Sequence, residues 1–405
     1  MDRAAALWGN REGLVYGADR LTFDGFADAT FEFARSLLAL GVEPGDSVGV
    51  LLPNGVDALI AIYGALRLGA VAVPLDVGLS LDELHRVAPH ADLRVLVAGA
   101  EHADGLEISF APELRHVVRH GPGENPQCIA WEELVALGRD VPGAEVRQVQ
   151  RRMAASSTAM VIYAPPGTTD RPRGCRLTHE GLVRSARVFA EQRFPLGHED
   201  RLWNPLPVAG LGALQPFNGC LAVGAAFVGM ERFDAQDALA LLMDERCTAA
   251  FPAVDRLWAS VLDQPEFEEV DLSALWLAAV DGDPELLTAI AEVTPDVTQV
   301  AVYGSAEAGG LIALSHLDDP LELRIESAGR PFGGIELKIL DEDGEELPAG
   351  ETGEIAIRGW SLFEGYHKDP TPLDPDGFFR TGDYGSLDEG GRLFMRAPAP
   401  VAPDD

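Results

Sequence analysis

The residues best suited to chemistry lie in one stretch, 161–179, where an apolar run opens into a loop rich in glycine, threonine and arginine. Backbone N–H groups and hydroxyls in such a loop donate to oxygens, and Gly167 lets the backbone approach them closely. Thr168 and Thr169 supply hydroxyls and Arg173 supplies positive charge, so the composition indicates phosphate binding. It is not a Walker loop, because no Gly-Lys-Ser/Thr follows Gly167 at the required distance. A plain strand-to-helix connection made of turn residues is the alternative interpretation.

Alternating helix and strand patterns precede this loop. Residues 21–40 have the apolar spacing of a helix that stops near Gly41. We expect a strand at 48–52, a helix at 58–68 and another strand at 69–74, and this alternation predicts parallel α/β layers. In contrast, the charged segment 101–150 shows no clear periodicity, and we expect only irregular surface elements there.

The loop itself is expected to leave a strand at 159–163 and to enter a helix that starts near 177–180. Further on, the pattern predicts helices at 181–194 and 234–245 and strands at 248–251 and 275–280. Short strands and turns alternate over 328–396, which predicts a small distorted barrel.

Composition limits the classes of function. The 405 residues are 47% hydrophobic and carry a net charge of −34, which argues against nucleic acid and anionic membrane surfaces as partners. None of the four cysteines forms a C-x-x-C pair, so neither a disulfide framework nor a zinc site is indicated and a reducing compartment fits. The first residues lack the apolar core of a signal peptide, and the apolar window 56–75 is interrupted by Asp57 and Arg67. We therefore expect a cytoplasmic protein.

The stretch 165–174, Pro-Pro-Gly-Thr-Thr-Asp-Arg-Pro-Arg-Gly, resembles the phosphate loop of the adenylate-forming superfamily of acyl-CoA synthetases, aryl-acid ligases, luciferases and peptide-synthetase adenylation domains. The family pattern is Thr-Ser-Gly-Thr-Thr-Gly-x-Pro-Lys-Gly. Pro165 and Pro166 remove hydroxyls and N–H groups, and Asp170 adds negative charge, whereas Arg173 keeps the positive charge of the family's lysine. Loss of two hydrogen bonds to a charged group, each about 1.5–3 kcal/mol, weakens triphosphate binding by roughly 10² to 10⁴.

A second motif, at 302–309, resembles the family's Tyr-Gly-x-Thr-Glu. The resemblance implies that Tyr303 packs on adenine, that Gly304 belongs to the same cofactor site and that Glu307 binds magnesium, for which carboxylate oxygen is a suitable ligand. The family's threonine, which touches phosphate, is Ala306 here. A surface glutamate at the end of a strand is the alternative interpretation of Glu307.

A third motif, at 376–383, is similar to the family's Gly-Trp-x-x-Thr-Gly-Asp. The resemblance implies that Asp383 holds both ribose hydroxyls, since a carboxylate accepts from two donors. Arg396 lies near the place of the family's ribose-binding arginine but out of step with it. The turn that contains Asp283 corresponds to a Gly/Ala-rich family turn against the adenine ring, and an Asp cap on a solvated turn is the alternative.

The resemblance implies the fold of the N-terminal domain of adenylate-forming enzymes: layered α/β subdomains with mainly parallel sheets plus a small distorted β-barrel. We expect a first α/β subdomain at 1–155, a second with the phosphate loop and the acid pocket at 156–325, a barrel-like subdomain at 326–398 and a tail at 399–405. The family's C-terminal lid domain, which carries the lysine that promotes adenylation, has no counterpart in the sequence.

The pocket for the acid is expected within 210–224 and 280–303. Family members often carry a histidine near Gly210, and peptide-synthetase domains place an aspartate near Asn218 to hold the substrate amine. Neither is present, so the resemblance points away from α-amino acids.

Three functions agree with these observations. The chain activates an aryl or acyl carboxylic acid with ATP and magnesium, with impaired adenylation, and passes it to CoA or a carrier protein with help from a C-terminal domain supplied in trans. Alternatively, it is a degenerate relative that binds AMP, an adenylate or a partner protein. Thirdly, it transfers a supplied acyl-adenylate to an acceptor.

Overall fold

The computed structural model of the chain describes residues 1–106, 108–164, 171–371 and 373–396. The helices in this part of the chain are α1 (Asp2–Trp8), α2 (Phe23–Ala39), α3 (Val56–Arg67), α4 (Leu81–His90), α5 (Ala100–Ala103), α6 (Trp131–Gly138), α7 (Gly143–Gln150), α8 (His179–Val188), α9 (Leu211–Val223), α10 (Ala235–Asp244), α11 (Asp255–Leu262), α12 (Pro284–Val293) and α13 (Leu321–Glu326). Short 3₁₀ turns lie at Ile108–Phe110 and Phe267–Glu269, and a π-helical turn at Phe189–Arg193 extends α8.

The strands, in chain order, are β1 (Glu12–Tyr16), β2 (Asp19–Thr22), β3 (Ser47–Leu51), β4 (Val71–Pro74), β5 (Leu93–Gly99), β6 (His116–His120), β7 (Cys128–Ala130), β8 (Thr158–Tyr163), β9 (Gly174–Thr178), β10 (Arg201–Asn204), β11 (Ala226–Gly229), β12 (Ala249–Val254), β13 (Leu277–Asp281), β14 (Thr298–Val300), β15 (Val302–Ser305), β16 (Gly310–Leu314), β17 (Arg330–Pro331), β18 (Ile335–Leu340), β19 (Gly353–Gly359), β20 (Gly365–Tyr366), β21 (Phe379–Leu387) and β22 (Leu393–Arg396).

Within the described residues, the larger sheet has the strand order β20-β9-β8-β4-β3-β5-β6-β7. Its strands run parallel from β8 to β7, whereas β9 and β20 are antiparallel to their neighbours. Central strand β3 is buried at every position, as expected of a strand covered on both faces. Helix α3, buried from Ala58 to Arg67, packs against α2 and β4, which confirms the helix and strands predicted for 48–74.

The second large sheet has the order β14-β13-β12-β10-β11-β1-β2 in the described part of the chain, and only β2 is antiparallel to its neighbour. Its strand β1 comes from the start of the chain and pairs with β11, with Leu14 opposite Phe227. Conversely, β8 and β9 join the sheet built from residues 47–130. Each large sheet therefore contains strands from both the first and the second predicted subdomain. The subdomain boundaries at 155 and 325 stay predictions.

The connection after β8 differs from the expected strand–loop–helix unit. Strand β9 intervenes and pairs antiparallel with β8, with Ile162 opposite Cys175, and only then does α8 begin at His179. Strands β8 and β9 are therefore antiparallel neighbours, and residues 165–170 between them lie outside the described residues. The five residues of β9 alone predict a strand only weakly. Pairing of its other edge with the distant strand β20 stabilises it.

The segment 101–150 is also more regular than predicted. It contains two parallel strands, β6 and β7, and two helices, α6 and α7. The three central residues of β6 are buried beside β5, with Val97 opposite Val118. The expectation of an irregular segment was wrong, because short strands at the edge of a sheet carry too few apolar residues to show a period.

The last third of the described chain forms a curled antiparallel sheet, β18-β19-β21-β22, beside a smaller sheet in which β17 pairs with the hairpin β15–β16. The predicted fold class, α/β layers with mainly parallel sheets and a small distorted barrel, is confirmed, with the curled sheet in the place of the barrel. None of the helices in the described residues has both the length and the apolar character needed to cross a membrane.

Candidate functional site

A cavity of about 660 Å³ opens at the carboxyl ends of strands from both large sheets. Pro74 and Tyr163 enter it from the ends of β4 and β8, and Ala253 and Asp281 enter it from β12 and β13. Ligands of open parallel sheets bind at this edge, and the volume is typical of a small-molecule site. The cavity is the candidate active site.

The hairpin β15–β16 forms one wall of this cavity and carries the second motif. Tyr303, Gly304 and Glu307 all line the cavity. Position 304 accepts only glycine, because a Cβ there would collide with the Gly310 carbonyl across the hairpin. The tip closes through a bond from the Gly309 N–H to the Ala306 carbonyl of 3.1 Å, which presents Glu307 at the turn.

Gln215, on helix α9, fixes this hairpin from behind. Its side chain is 2% exposed, and its Oε1 accepts the Leu311 N–H at 2.6 Å. A Cβ at Gly310 would collide with the same amide, so glycine is needed for the close approach of α9 and β16. The sequence prediction missed Gln215, although a single glutamine in an apolar helix was a usable signal.

The two residues expected to act on phosphate, Glu307 and Arg173, both contact Tyr366. Tyr366 Oη donates to Glu307 Oε1 at 2.9 Å, and the Arg173 guanidinium lies 5.1 Å from the ring centroid. Burial, together with the charge of Glu307, raises the pKa of Tyr366 and that of the Cys175 thiol beside it. Both groups therefore stay protonated at neutral pH, and the Tyr366 hydroxyl donates to Glu307.

Three distant stretches meet in this cluster. In the ladder between β20 and β9, Tyr366 lies opposite Cys175, and the Phe363 N–H donates to the Glu307 carbonyl at 2.9 Å. Tyr366 lies in the range 328–396, for which only short strands and turns were predicted, and its place in the site was not predicted. The sequence signal for Tyr366 was weak, because β20 is only two residues long and forms through its pairing with β9.

Tyr303 joins the second motif to the third. Its hydroxyl donates to Asp383 Oδ2 at 2.8 Å, and burial raises the pKa of Tyr303. Asp383 is exposed on β21, and its N–H donates to Thr381 Oγ1 at 3.0 Å. The residues expected at the adenine and at the ribose are therefore neighbours, with one carboxylate oxygen of Asp383 held by the tyrosine.

Arg396 and Asp283 lie outside the lining of the cavity. Arg396 is exposed at the end of β22, opposite Tyr384 of β21, with its guanidinium 5.3 Å from the Phe394 ring. Asp283 caps α12 and accepts the Glu285 and Leu286 N–H groups at 2.8 and 3.3 Å. This contact matches the alternative interpretation of Asp283 as a helix cap, and a cofactor role for both residues stays a prediction.

Gly167, Thr168 and Thr169 lie outside the described residues, as do Pro165, Pro166 and Asp170. Their expected contacts with phosphate stay predictions. Both described flanks of the loop, Ala164 on one side and Pro172 with Arg173 on the other, line the cavity.

Magnesium is the metal that the family resemblance implies. No group of three or more His, Cys, Asp or Glu side chains that could hold a metal ion occurs in the described part of the chain. Magnesium is commonly held by one or two carboxylates together with substrate phosphates. Glu307, whose Oε1 accepts the Tyr366 hydroxyl, is the residue predicted to supply such a carboxylate, and this role stays a prediction.

The predicted acid pocket corresponds to the described cavity only in part. Gly210 and Gly212 from the first predicted segment line the cavity, and so do Asp281 and Val302 from the second. Asn218 does not line it, because its side chain points into the core and accepts the Tyr63 hydroxyl at 2.8 Å.

Comparison with known proteins agrees with this geometry. The model of the AMP-binding enzyme family matches residues 1–367. The 3-[(3aS,4S,7aS)-7a-methyl-1,5-dioxo-octahydro-1H-inden-4-yl]propanoyl:CoA ligase of Mycobacterium tuberculosis (strain ATCC 25618 / H37Rv) is 30% identical over 408 residues, which cover 97% of this chain and 77% of the relative. The 4-coumarate–CoA ligase 2 of Nicotiana tabacum is 27% identical over 405 residues, or 95% of this chain and 72% of the relative.

Solved structures agree as well. The N-terminal domain of FACL13 from Mycobacterium tuberculosis superposes with a TM-score of 0.84 at 25% identity and covers 98% of each chain. The anthranilate CoA ligase AuaEII in complex with anthranoyl-AMP has a TM-score of 0.86 over 97% of this chain and 76% of its own, and at 22% identity it shows the shared fold alone. From the family match, these relatives and the cavity, the chain belongs to the AMP-binding enzyme family of adenylate-forming acyl- and aryl-CoA ligases.

Proposed function

We propose that the chain activates an aryl or acyl carboxylic acid, other than an α-amino acid, as its adenylate, with ATP and magnesium. A carboxylate oxygen of the acid attacks the α-phosphorus of ATP, the bond to the bridging oxygen breaks, and pyrophosphate leaves. The acyl group then passes to a thiol with release of AMP. The relatives named as CoA ligases support CoA as this acceptor, and a carrier protein is the alternative.

The observation that carries the proposal is the cluster in which Tyr366 contacts both Glu307 and Arg173, two residues that line the cavity. The exposed Arg173 guanidinium lies over the face of the Tyr366 ring, from which it can move onto a phosphate. Bound magnesium would neutralise phosphate charge beside Glu307. Adenylation needs mostly positioning and charge neutralisation, and these groups provide both.

The opposite end of the nucleotide is assigned to Tyr303 and Asp383. One Asp383 oxygen already accepts the Tyr303 hydroxyl, so the other remains to accept from ribose. The Tyr303 ring, which lines the cavity, is placed to pack on a base. We assign AMP recognition to this pair and to Gly304, and triphosphate recognition to Arg173 and the loop residues Gly167, Thr168 and Thr169.

The proposal includes weakened adenylation. Pro165, Pro166 and Ala306 replace residues with hydroxyls, so we expect ATP to bind roughly 10² to 10⁴ more weakly than with the family pattern. AMP, which makes fewer contacts with this loop, should be affected less. For activity, the cytoplasmic ATP concentration would then have to be high enough to saturate the weakened site, or a C-terminal domain supplied in trans would have to complete the site.

Calorimetric titration with ATP plus magnesium, and separately with AMP, tests the proposal. We expect both to bind, with ATP binding lost in Glu307→Ala and AMP binding lost in Asp383→Ala. Glu292→Ala, which removes an exposed glutamate on α12, serves as the control and should change neither. Formation of acyl-CoA from a panel of aryl and acyl acids, followed by mass spectrometry, then identifies the acid.

Other outcomes select the alternatives. AMP binding without ATP binding would favour a protein that handles a supplied adenylate, and the Tyr303–Asp383 bond is the observation that supports this second candidate. Absence of binding by both nucleotides would overturn the nucleotide assignment and leave a scaffold that binds a partner protein.

A further inference from the structure

Asp281 is an acidic side chain on the wall of an otherwise largely apolar part of the cavity. It ends strand β13, and the register places it opposite Val254 of β12, next to the pair Ala253 and Val280. Ala253 and Phe251 of β12 line the cavity beside it. The family turn at this place is rich in glycine and alanine, so the carboxylate is a departure of this chain.

Asp281 forms no ion pair among those found in the described residues. The charged group that acts on its pKa is another carboxylate, Asp255, whose Oδ1 accepts the Arg256 N–H at 2.6 Å and whose Oδ2 accepts the Asp283 N–H at 2.8 Å. Burial raises the pKa of Asp281 to about 6. The Gly282 N–H lowers this pKa in part, and the charge of Asp255 raises it further.

Burial of a carboxylate without a cation is unfavourable, and carboxylates with perturbed pKa values in clefts are found preferentially at functional sites. Arg86 and Arg173 also line the cavity, but Arg173 lies over the Tyr366 ring, and neither arginine contributes to the pKa shift of Asp281. A donor in the bound ligand would supply the missing partner.

We propose that Asp281 selects a carboxylic acid that carries a hydrogen-bond donor, an amino group above all, at a position remote from its carboxylate. The inference rests on the proposed acid activation. The acid's carboxylate must reach the phosphates beside Glu307 and Arg173, whereas Asp281 extends from a strand of the other large sheet. Because these groups extend from different sheets that line one cavity, we infer a donor remote from the carboxylate, as in an ω-amino or ring-amino acid, rather than an α-amino group.

The adenine amino group of ATP is a second donor that an aspartate on this wall could accept from. The apolar neighbours Phe251 and Ala253 favour the acid, since they continue the wall formed by Gly210 and Gly212, where the acid pocket is predicted. The experiment therefore varies the acid and the purine independently.

The test compares matched acids with and without the donor: benzoate with 3- and 4-aminobenzoate, and hexanoate with 6-aminohexanoate. We expect the full chain to prefer the amino member of at least one pair by about 10-fold or more in kcat/KM, since a hydrogen bond to a charged group contributes about 1.5–3 kcal/mol. In Asp281→Ala the preference should vanish. Asp234→Ala, which shortens an aspartate that caps α10 outside the cavity, is the matched control and should keep it.

Calorimetric binding of the same acids in the presence of AMP measures the preference without turnover, so failure of ligation and failure of the selectivity are distinguishable. An equal response of both members of every pair to Asp281→Ala would overturn the proposal. So would a change confined to the ratio of ATP to inosine triphosphate, which lacks the amino group, because that result would assign Asp281 to the purine.

Discussion

Replacement of Tyr366 by phenylalanine tests whether Glu307 is held in place for chemistry. The change removes the hydroxyl that donates to Glu307 Oε1 at 2.9 Å and keeps the ring over which Arg173 lies. Tyr366 is 8% exposed, so water cannot easily replace the lost donor. The carboxylate would then turn more freely, and the position of the magnesium ion that we assign to it would be less defined.

The size of the effect follows from that single bond. A hydrogen bond to a charged group contributes about 1.5–3 kcal/mol, so kcat/KM for adenylate formation should fall by about 10- to 150-fold. The magnesium concentration at half-maximal rate should rise in parallel. Glu307→Gln alone should have a larger effect, because the amide cannot replace the charge.

A double-mutant cycle with Tyr366→Phe and Glu307→Gln, measured by acid-dependent pyrophosphate release, separates positioning from packing. We expect a coupling free energy above about 1 kcal/mol, since the tyrosine acts through the glutamate. Tyr63→Phe is the matched control: it removes a buried hydroxyl bonded to Asn218 away from the cavity, so stability should fall while kcat/KM stays the same. Additive effects of the two changes would refute the reasoning.

Three further predictions concern stability. Gln215→Leu leaves the buried Leu311 N–H without its 2.6 Å acceptor and should lower the free energy of unfolding by about 1–3 kcal/mol, measured by urea denaturation. Asp281→Asn should change the pH dependence of the free energy of unfolding. In the folded wild type the pKa of Asp281 is raised from 3.8 to about 6, so folding disfavours the ionised carboxylate and the wild type loses stability as pH rises from about 4 to about 6. The variant should thus be more stable than wild type at pH 7.5, by about 1–3 kcal/mol, but not at pH 4, and equal melting temperatures at both values would contradict this. Ala253 has a φ of +61°, so Ala253→Gly should be nearly neutral, whereas Ala250→Gly in the same strand should cost about 1 kcal/mol or more.

The sequence was most informative where a motif and a regular period coincided. Strands β3 and β4 and helix α3 follow from apolar runs between turn residues. Tyr303 and Asp383 were named from separate motifs 80 residues apart, and the structure places them 2.8 Å from each other, although their roles with nucleotide stay predictions.

The features that escaped prediction depend on partners distant in the chain. Strand β9, Gly-Cys-Arg-Leu-Thr, has no strong strand signal and exists because β8 and β20 pair with its two edges. Tyr366 could not be placed beside Glu307 without that pairing. Likewise, Asp283 was predicted at the cofactor, yet it caps a helix, whereas Asp281, two residues earlier in the chain, lines the cavity.

The exchange of strands between the two large sheets has a consequence for biosynthesis. Strand β1 at residues 12–16 finds its parallel partner only at β11, residues 226–229. At roughly 5–20 residues per second, a ribosome needs on the order of 10–40 s to make the intervening chain. During this interval β1 and β2 present an unpaired edge, which is a hazard for aggregation. Completion of the eight-stranded sheet takes longer still, because its edge strand β20, at residues 365–366, is synthesised later. Newly made chains should therefore depend on chaperones until nearly all of the described residues have emerged.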